Sequence, residues 1–320
     1  MLSRVADSLY WMSRYLERAE NTVRLLDINM GLMLDKSSTS AERRWQRVLA
    51  TIGKPEGCEW KGDVYEFVDT LCFDDEKAAS VTSCIVLARE NARQVREEIS
   101  SEQWQRLNRL FHEVNRQVHS DRSELRRSEF LPAVVDGIHL FQGVTDTTLS
   151  HGEGWQFIQI GRYIERASST ARLLETYHHD SVKSLEETHD GFEYLEWIGL
   201  LRTCTAFEAY CKVYTADLTY DRILEFLVLD PDFPHSIRFC IDTLVNSLRS
   251  VQQDSRGHHA EELMRLSGRL QASLRYGQID EIIERDPGTY LRRILDLCLQ
   301  IHELIYEVYI RYSVQTALAM

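Results

Sequence analysis

Residues 14–26 read RYLERAENTVRLL, and residues 162–174 read RYIERASSTARLL. Nine of the thirteen positions are identical, and the pairs Leu16/Ile164 and Val23/Ala171 stay apolar. Four of the kept positions are charged: Arg14/Arg162, Glu17/Glu165, Arg18/Arg166 and Arg24/Arg172. Charges on a solvated helix face tolerate exchange, so their retention in two copies 148 residues apart needs a cause. On a helical wheel of about 100° per residue, Tyr15, Ala19, Thr22, Val23 and Leu26 share one arc, the expected core face. Arg14, Glu17, Arg18 and Arg24 fall on the opposite arc, with Asn21 between them. Glu20/Ser168 and Asp27/Glu175, which differ most between the copies, lie at its edge and are assigned to a solvated strip. A kept polar face beside a variable edge predicts charges that face protein or ligand.

The rest of the chain is built for helices. Its 320 residues contain 5 Pro and 15 Gly, few breakers for that length, and 43% hydrophobic with 27% charged residues leave ample material for a core. Helical periodicity dominates and strand-like alternation is nearly absent. The first helix is placed from Ser3 to about Gly31, and a short one ends at Gly53. Residues 54–63 read as a loop. Long helices follow up to Ser100, over 101–120, and over 122–148 with an irregularity near Pro132. The Gly-rich SHGEGW at 150–155 precedes the second motif helix, which is carried to about His178. A helix of some 25 residues from Gly191, a shorter piece before LDPDFPHS, helices near 235–254 and 258–284, and a long final helix complete the plan. The expectation is one compact all-α bundle, residues 1–320, made of two related halves near 1–149 and 150–320 with approximate two-fold symmetry. A weaker match of 87–97 with 204–214 aligns Glu90 with Glu208.

Charge and cysteine usage narrow the function classes. A formal charge of −13 with no Lys/Arg block speaks against nonspecific nucleic-acid binding, which needs a clustered basic surface. Seven cysteines without a CxxC pair read as reduced, mostly buried thiols of a cytoplasmic protein. No stretch reaches the ~20 apolar residues of a membrane span. Cofactor motifs are absent: there is no GxGxxG, no phosphate-binding Lys-Ser/Thr loop and no Gly-x-Ser-x-Gly elbow. A metal site is not expected either. Glu17, Glu90, Glu165 and Glu208 lack the His three residues on that carboxylate-bridged metal bundles use, and adjacent arginines repel cations.

Two readings of the repeated face stand open. In the architectural one, Glu17 and Glu165 are buried acceptors for guanidinium groups of neighbouring helices, since a buried charge is tolerable only when paired. In the binding one, Arg14, Arg18, Arg162 and Arg166, with Arg24 and Arg172 in support, line a pocket for a carboxylate or phosphate. Glu17 and Glu165 then orient the arginines or take a proton from an amine, and His151 at the rim acts as acid or base.

The two motif segments, with ARENARQVREEIS (88–100), GEGWQFIQIGRYIERA (152–167) and LEFLVLDPDFPHSIRFC (224–240), resemble the alpha-E family of bacterial proteins. His235 stands where that pattern carries Arg. The resemblance implies an all-α fold and company with circularly permuted ATP-grasp ligases, hence a part in peptide or amide synthesis. The chain would then hold an anionic, amino-acid-like substrate or acyl intermediate on its Arg/Glu face, the ligase spending the ATP. The alternative is a non-catalytic scaffold for that ligase, with the Arg/Glu pairs purely structural.

Overall fold

The computed structural model describes residues 1–34, 40–55, 58–74, 80–118, 124–188, 194–215, 217–252 and 258–311. Every regular element among them is helical. The helices are α1 (Ser3–Leu34), α2 (Ala41–Thr51), α3 (Val64–Phe73), α4 (Val81–Gln94), α5 (Ser101–Val118), α6 (Glu124–Thr148) and α7 (Glu153–Thr188). There follow α8 (Tyr194–Thr203), α9 (Phe207–Tyr214), α10 (Tyr220–Leu229), α11 (Ile237–Val251), α12 (His258–Tyr276), α13 (Ile279–Glu284) and α14 (Pro287–Ile305), which runs on into a wide turn at Tyr306–Arg311.

Local chemistry sets these boundaries. Ser40, Asp63, Ser80 and Ser236 cap α2, α3, α4 and α11 by accepting backbone N–H bonds in the first turn. α2 ends where Gly53, at φ +87°, turns the chain so that the Lys54 N–H donates to the Leu49 carbonyl and the Gly53 N–H to Ala50. Thr205 ends α8 in the same way at φ +52°, with the Ala206 N–H donating to Leu201 and its own to Arg202. A β-branched residue in the left-handed region is not readable as a stop, so the single helix expected from Gly191 is two, α8 and α9. Likewise 258–284 divides at Gly277 into α12 and α13. α3 lies just beyond the expected loop and was not anticipated; α7 continues to Thr188, past His178. The helix expected up to Ser100 stops at Gln94, and α6 passes through Pro132 without interruption.

Packing repeats itself. Around α1 stand α4 and α6, with α5 against both; around α7 stand α11 and α14, with α12 against both. The two rings of four meet where α1 lies on α7, α2 also packs on α7, and α8 packs on α1. One cluster of buried apolar side chains runs through both rings, from Leu9 and Leu26 to Ile160, Leu174 and Ile241. The neighbour of α7 that corresponds to α4 is therefore α11, and the match of 87–97 with 204–214 on α9 is not reproduced. Residues 80–95 and 236–251 instead share Ser80/Ser236, Cys84/Cys240, Ile85/Ile241, Arg93/Arg249 and Val95/Val251.

The α1–α7 crossing is closest at Gly161, one residue before the second motif. A Cβ there would lie 2.2 Å from Ser13 Oγ and 2.3 Å from the Tyr10 carbonyl oxygen. Backbone cannot retreat as a flexible side-chain tip can, so Gly161→Ala must push the two motif helices apart. It is expected to cost about 3 kcal/mol, the upper range for overpacking. Gly268→Ala, in open space on α12, should instead stabilise by about 0.5–1 kcal/mol through helix propensity. Thermal melts of the two variants beside wild type check the contrast.

Candidate functional site

α1 and α7 place the duplicated charges face to face. Arg166 grips Glu17 with both prongs of its fork, Nε to Oε1 at 2.6 Å and Nη2 to Oε2 at 2.8 Å, and Glu17 is wholly inaccessible to solvent. In the reverse direction Glu165 accepts from two arginines of α1. Arg14 donates through Nε to Oε2 at 2.7 Å, and Arg18 through Nε to Oε1 at 2.8 Å. Each motif thus supplies the carboxylate that the other motif's guanidinium groups require. Planar bidentate geometry is what makes such burial tolerable.

The electrostatics follow from that exchange. Burial alone would raise the Glu165 carboxyl, but Arg14 and Arg18 outweigh it and hold it at about 2. For Glu17 burial outweighs the Arg166 fork and the carboxyl is raised, and Glu17 in turn raises Arg166. Cys84 and Cys240 lie beside these pairs on α4 and α11, and burial pushes both thiols up. Of the seven cysteines, all reduced, six are buried and Cys211 is partly exposed.

Glu20 was assigned to the solvated strip; it is buried. It accepts from Arg24 at 3.0 Å, lies 2.9 Å from His139 Nε2, and accepts from Gln142 at 3.3 Å. Burial raises this carboxyl, and the His139 hydrogen bond with the Arg166 and Arg24 charges brings it down to about 2. The assignment failed because α1 is enclosed by α4, α6, α7 and α8, leaving little of the helix a solvent edge.

The remaining expected residues separate. Arg162 is buried in α7 with no ion pair among the described residues, and its charge acts on Glu17. Arg172 is half-buried near the end of the repeat. His151 stands exposed at the α6–α7 turn, stacked on Trp155 with ring centroids 4.2 Å apart. None of the described contacts joins it to the Arg/Glu cluster.

Residues the sequence did not flag complete the lattice. On α14, His302 Nδ1 lies 2.7 Å from the Tyr10 hydroxyl and accepts from Arg14 Nη1 at 3.1 Å, and burial with the Arg14 charge lowers its pKa to about 4. A second buried exchange links α2 to α8: Arg44 donates to Glu196 at 2.6 Å, and Arg47 donates to its other oxygen. A cavity of about 70 Å³ lies beside Arg18 and Glu165, bounded also by Thr170, Arg172, Thr203 and His235. Among the described residues no group of His, Cys, Asp and Glu is arranged to hold a metal ion, and no helix is long and apolar enough to cross a membrane.

The chain belongs to the Alpha-E family, whose model, described as a predicted alpha-helical domain with a conserved ER motif, matches residues 1–310. The Glu17-Arg18 and Glu165-Arg166 dipeptides of the repeat carry such a motif twice. Uncharacterized proteins of Mycobacterium tuberculosis and Mycobacterium bovis are similar, at 22% identity over 95% of this chain. The chain spans about a third of the length of these relatives, 36%. No solved structure matches it.

The ionic exchange makes stability depend on acid. With folded values near 2 against 4.5 for a free carboxyl, Glu165 and Glu20 stabilise the fold fully above about pH 5. That contribution is lost as pH falls from there toward 2, because the unfolded chain takes up protons first. Glu165→Gln should cost roughly 3–5 kcal/mol at pH 7 by stranding two guanidinium groups. It should also flatten the fall in stability between pH 5 and 2, measured by urea unfolding at each pH.

Proposed function

We propose that this chain is a non-catalytic helical module of an ATP-grasp-linked, amide-forming system, its Glu-Arg pairs serving as architecture and its outer surface meeting the ligase. One observation carries the choice. The substrate-clamp reading asks Arg14, Arg18, Arg162 and Arg166 to hold an anionic ligand, and here three of the four hold Glu165 and Glu17, beside a cavity of about 70 Å³. The pairing is also internally complementary, so a ligand would have to displace a carboxylate already bound in good geometry.

Two further facts agree with a dependent module. The sequence has no phosphate-binding loop of its own. In the mycobacterial relatives the matching segment is a minor part of a longer chain, as expected of a unit that works beside others. The ligase as partner, and amide synthesis as the shared task, come from the family resemblance.

The test is the ATP turnover and product mass of a circularly permuted ATP-grasp ligase from the same genome, assayed alone, with this chain, and with Arg18→Lys. Lysine keeps the charge and loses the fork, and Arg18 is the most solvent-exposed of the cross-helix arginines, at 34% of its side chain. The module reading predicts stimulation by wild type and by Arg18→Lys within about twofold of each other. A tenfold or greater loss with folded Arg18→Lys would restore the substrate clamp. A ligase indifferent to the chain, or ATP consumed by the chain alone, would contradict the proposal.

A further inference from the structure

The two motif copies differ at one position whose consequence is electrostatic. In the first, Arg24 is bound by Glu20 four residues earlier, at 3.0 Å through both Nε and Nη2. In the second, Ser168 stands at the position of Glu20 and donates to the Ile164 carbonyl oxygen. Arg172, the counterpart of Arg24, has no ion pair or hydrogen bond among the described residues. A guanidinium kept through the duplication has lost its carboxylate.

Arg172 opens onto a cleft of about 1010 Å³ between α2, the second half of α7 and the start of α14. Among the described residues six cationic side chains line this cleft against three carboxylates; with Arg47 also bound to Glu196 outside it, cations still outnumber carboxylates there on a chain of net −13. The carboxylates are engaged: Asp180 lies 3.3 Å from Arg47, Glu175 lies 3.5 Å from Arg292, and Asp286 caps α14 and lies 3.5 Å from His178. Lys54 and Lys183, like Arg172, have no carboxylate at ion-pair distance among the described residues. They come from different elements, Lys54 from the turn after α2 and Lys183 from the last turns of α7.

The wall beside Arg172 is shaped around it. Gly53 holds φ +87°, and a Cβ there would lie 3.3 Å from Arg172 Nη1. Only glycine adopts that conformation without strain and leaves the guanidinium room. Arg172 also borders the smaller cavity beside Arg18 and Glu165 and is itself half-buried, and a half-buried fork binds an oxyanion more strongly than one at a fully solvated surface.

We infer that this cleft is a binding site for a small, multiply charged oxyanion, a phosphorylated or polycarboxylate metabolite, with Arg172 as the inner anchor and Lys54 and Lys183 at the rim. The volume lies at the upper end for small-molecule sites. The site is separate from the Glu17–Arg166 and Glu165–Arg14–Arg18 exchange and does not depend on any ligase partner.

Calorimetric titration with pyrophosphate, with citrate and with inorganic phosphate, on the full chain at 0.15 M salt, tests it. Wild type should bind pyrophosphate or citrate more tightly than inorganic phosphate. A preference for pyrophosphate assigns a phosphorylated ligand, and a preference for citrate a polycarboxylate. Arg172→Gln should weaken the preferred probe at least tenfold, and Lys183→Gln, on the exposed rim, about threefold. Arg116→Gln, on the exposed face of α5, should leave it unchanged. Ser168→Glu supplies the carboxylate present in the first copy; it should pair with Arg172 and abolish binding while the circular dichroism spectrum stays helical. No heat with any probe in wild type, or binding undiminished in Ser168→Glu and Lys183→Gln, would overturn the site.

Discussion

Two buried carboxylates between α1 and α7, held by the buried guanidinium of Arg166 and the partly buried ones of Arg14 and Arg18, constrain everything around them. Taking such groups out of water costs several kcal/mol each, and the cost is met only if every charge finds its partner in good geometry. The chain satisfies this by exchange: the glutamate of each motif is bound by arginines of the other. Neither helix can therefore be buried on the polar side of its motif without the other. The close approach at Gly161, the capped helices α4 and α11 beside the pairs, and the second exchange from α2 to Glu196 on α8 surround that interface.

The same requirement accounts for part of what the two motif copies share. Positions that answer a charge on the other helix recur in both copies, as Glu17/Glu165 and Arg18/Arg166 do. Glu20 answers a charge on its own helix, together with His139 of α6. Ser168 stands at the corresponding position of α7, outside the α1–α7 exchange, and donates to the Ile164 carbonyl oxygen. Arg172 borders both the small cavity beside Arg18 and Glu165 and the larger cationic cleft.

Much of this was legible in the sequence, for identifiable reasons. Scarce Pro and Gly with helical periodicity disclosed the all-α class, and the repeated charges disclosed that Glu17 and Glu165 face protein or ligand, with the choice between the two left open. Their partners were not assignable, because an ion pair joining residues about 150 apart leaves no local pattern. His302 and Glu196 stayed hidden for that reason. Glu20 was misplaced because a wheel assumes one solvent side, and α1 has neighbours around most of its circumference. The break at Thr205 was invisible because the left-handed turn there is made without glycine. Gly53 in the equivalent turn was read correctly as a stop. The link between α4 and α11 was present in Ser80/Ser236 and Cys84/Cys240, small buried residues that carry no charge pattern.

The central claim is that Glu17 and Arg166 stabilise the fold as a pair. A double-mutant cycle with Glu17→Gln, Arg166→Met and both together, read by urea unfolding at pH 7, measures it most directly. The account predicts that each single change costs roughly 3–5 kcal/mol and that the double costs less than their sum, a coupling of at least about 2 kcal/mol. Additive losses, with a coupling below about 0.5 kcal/mol as for an exposed ion pair, would contradict it.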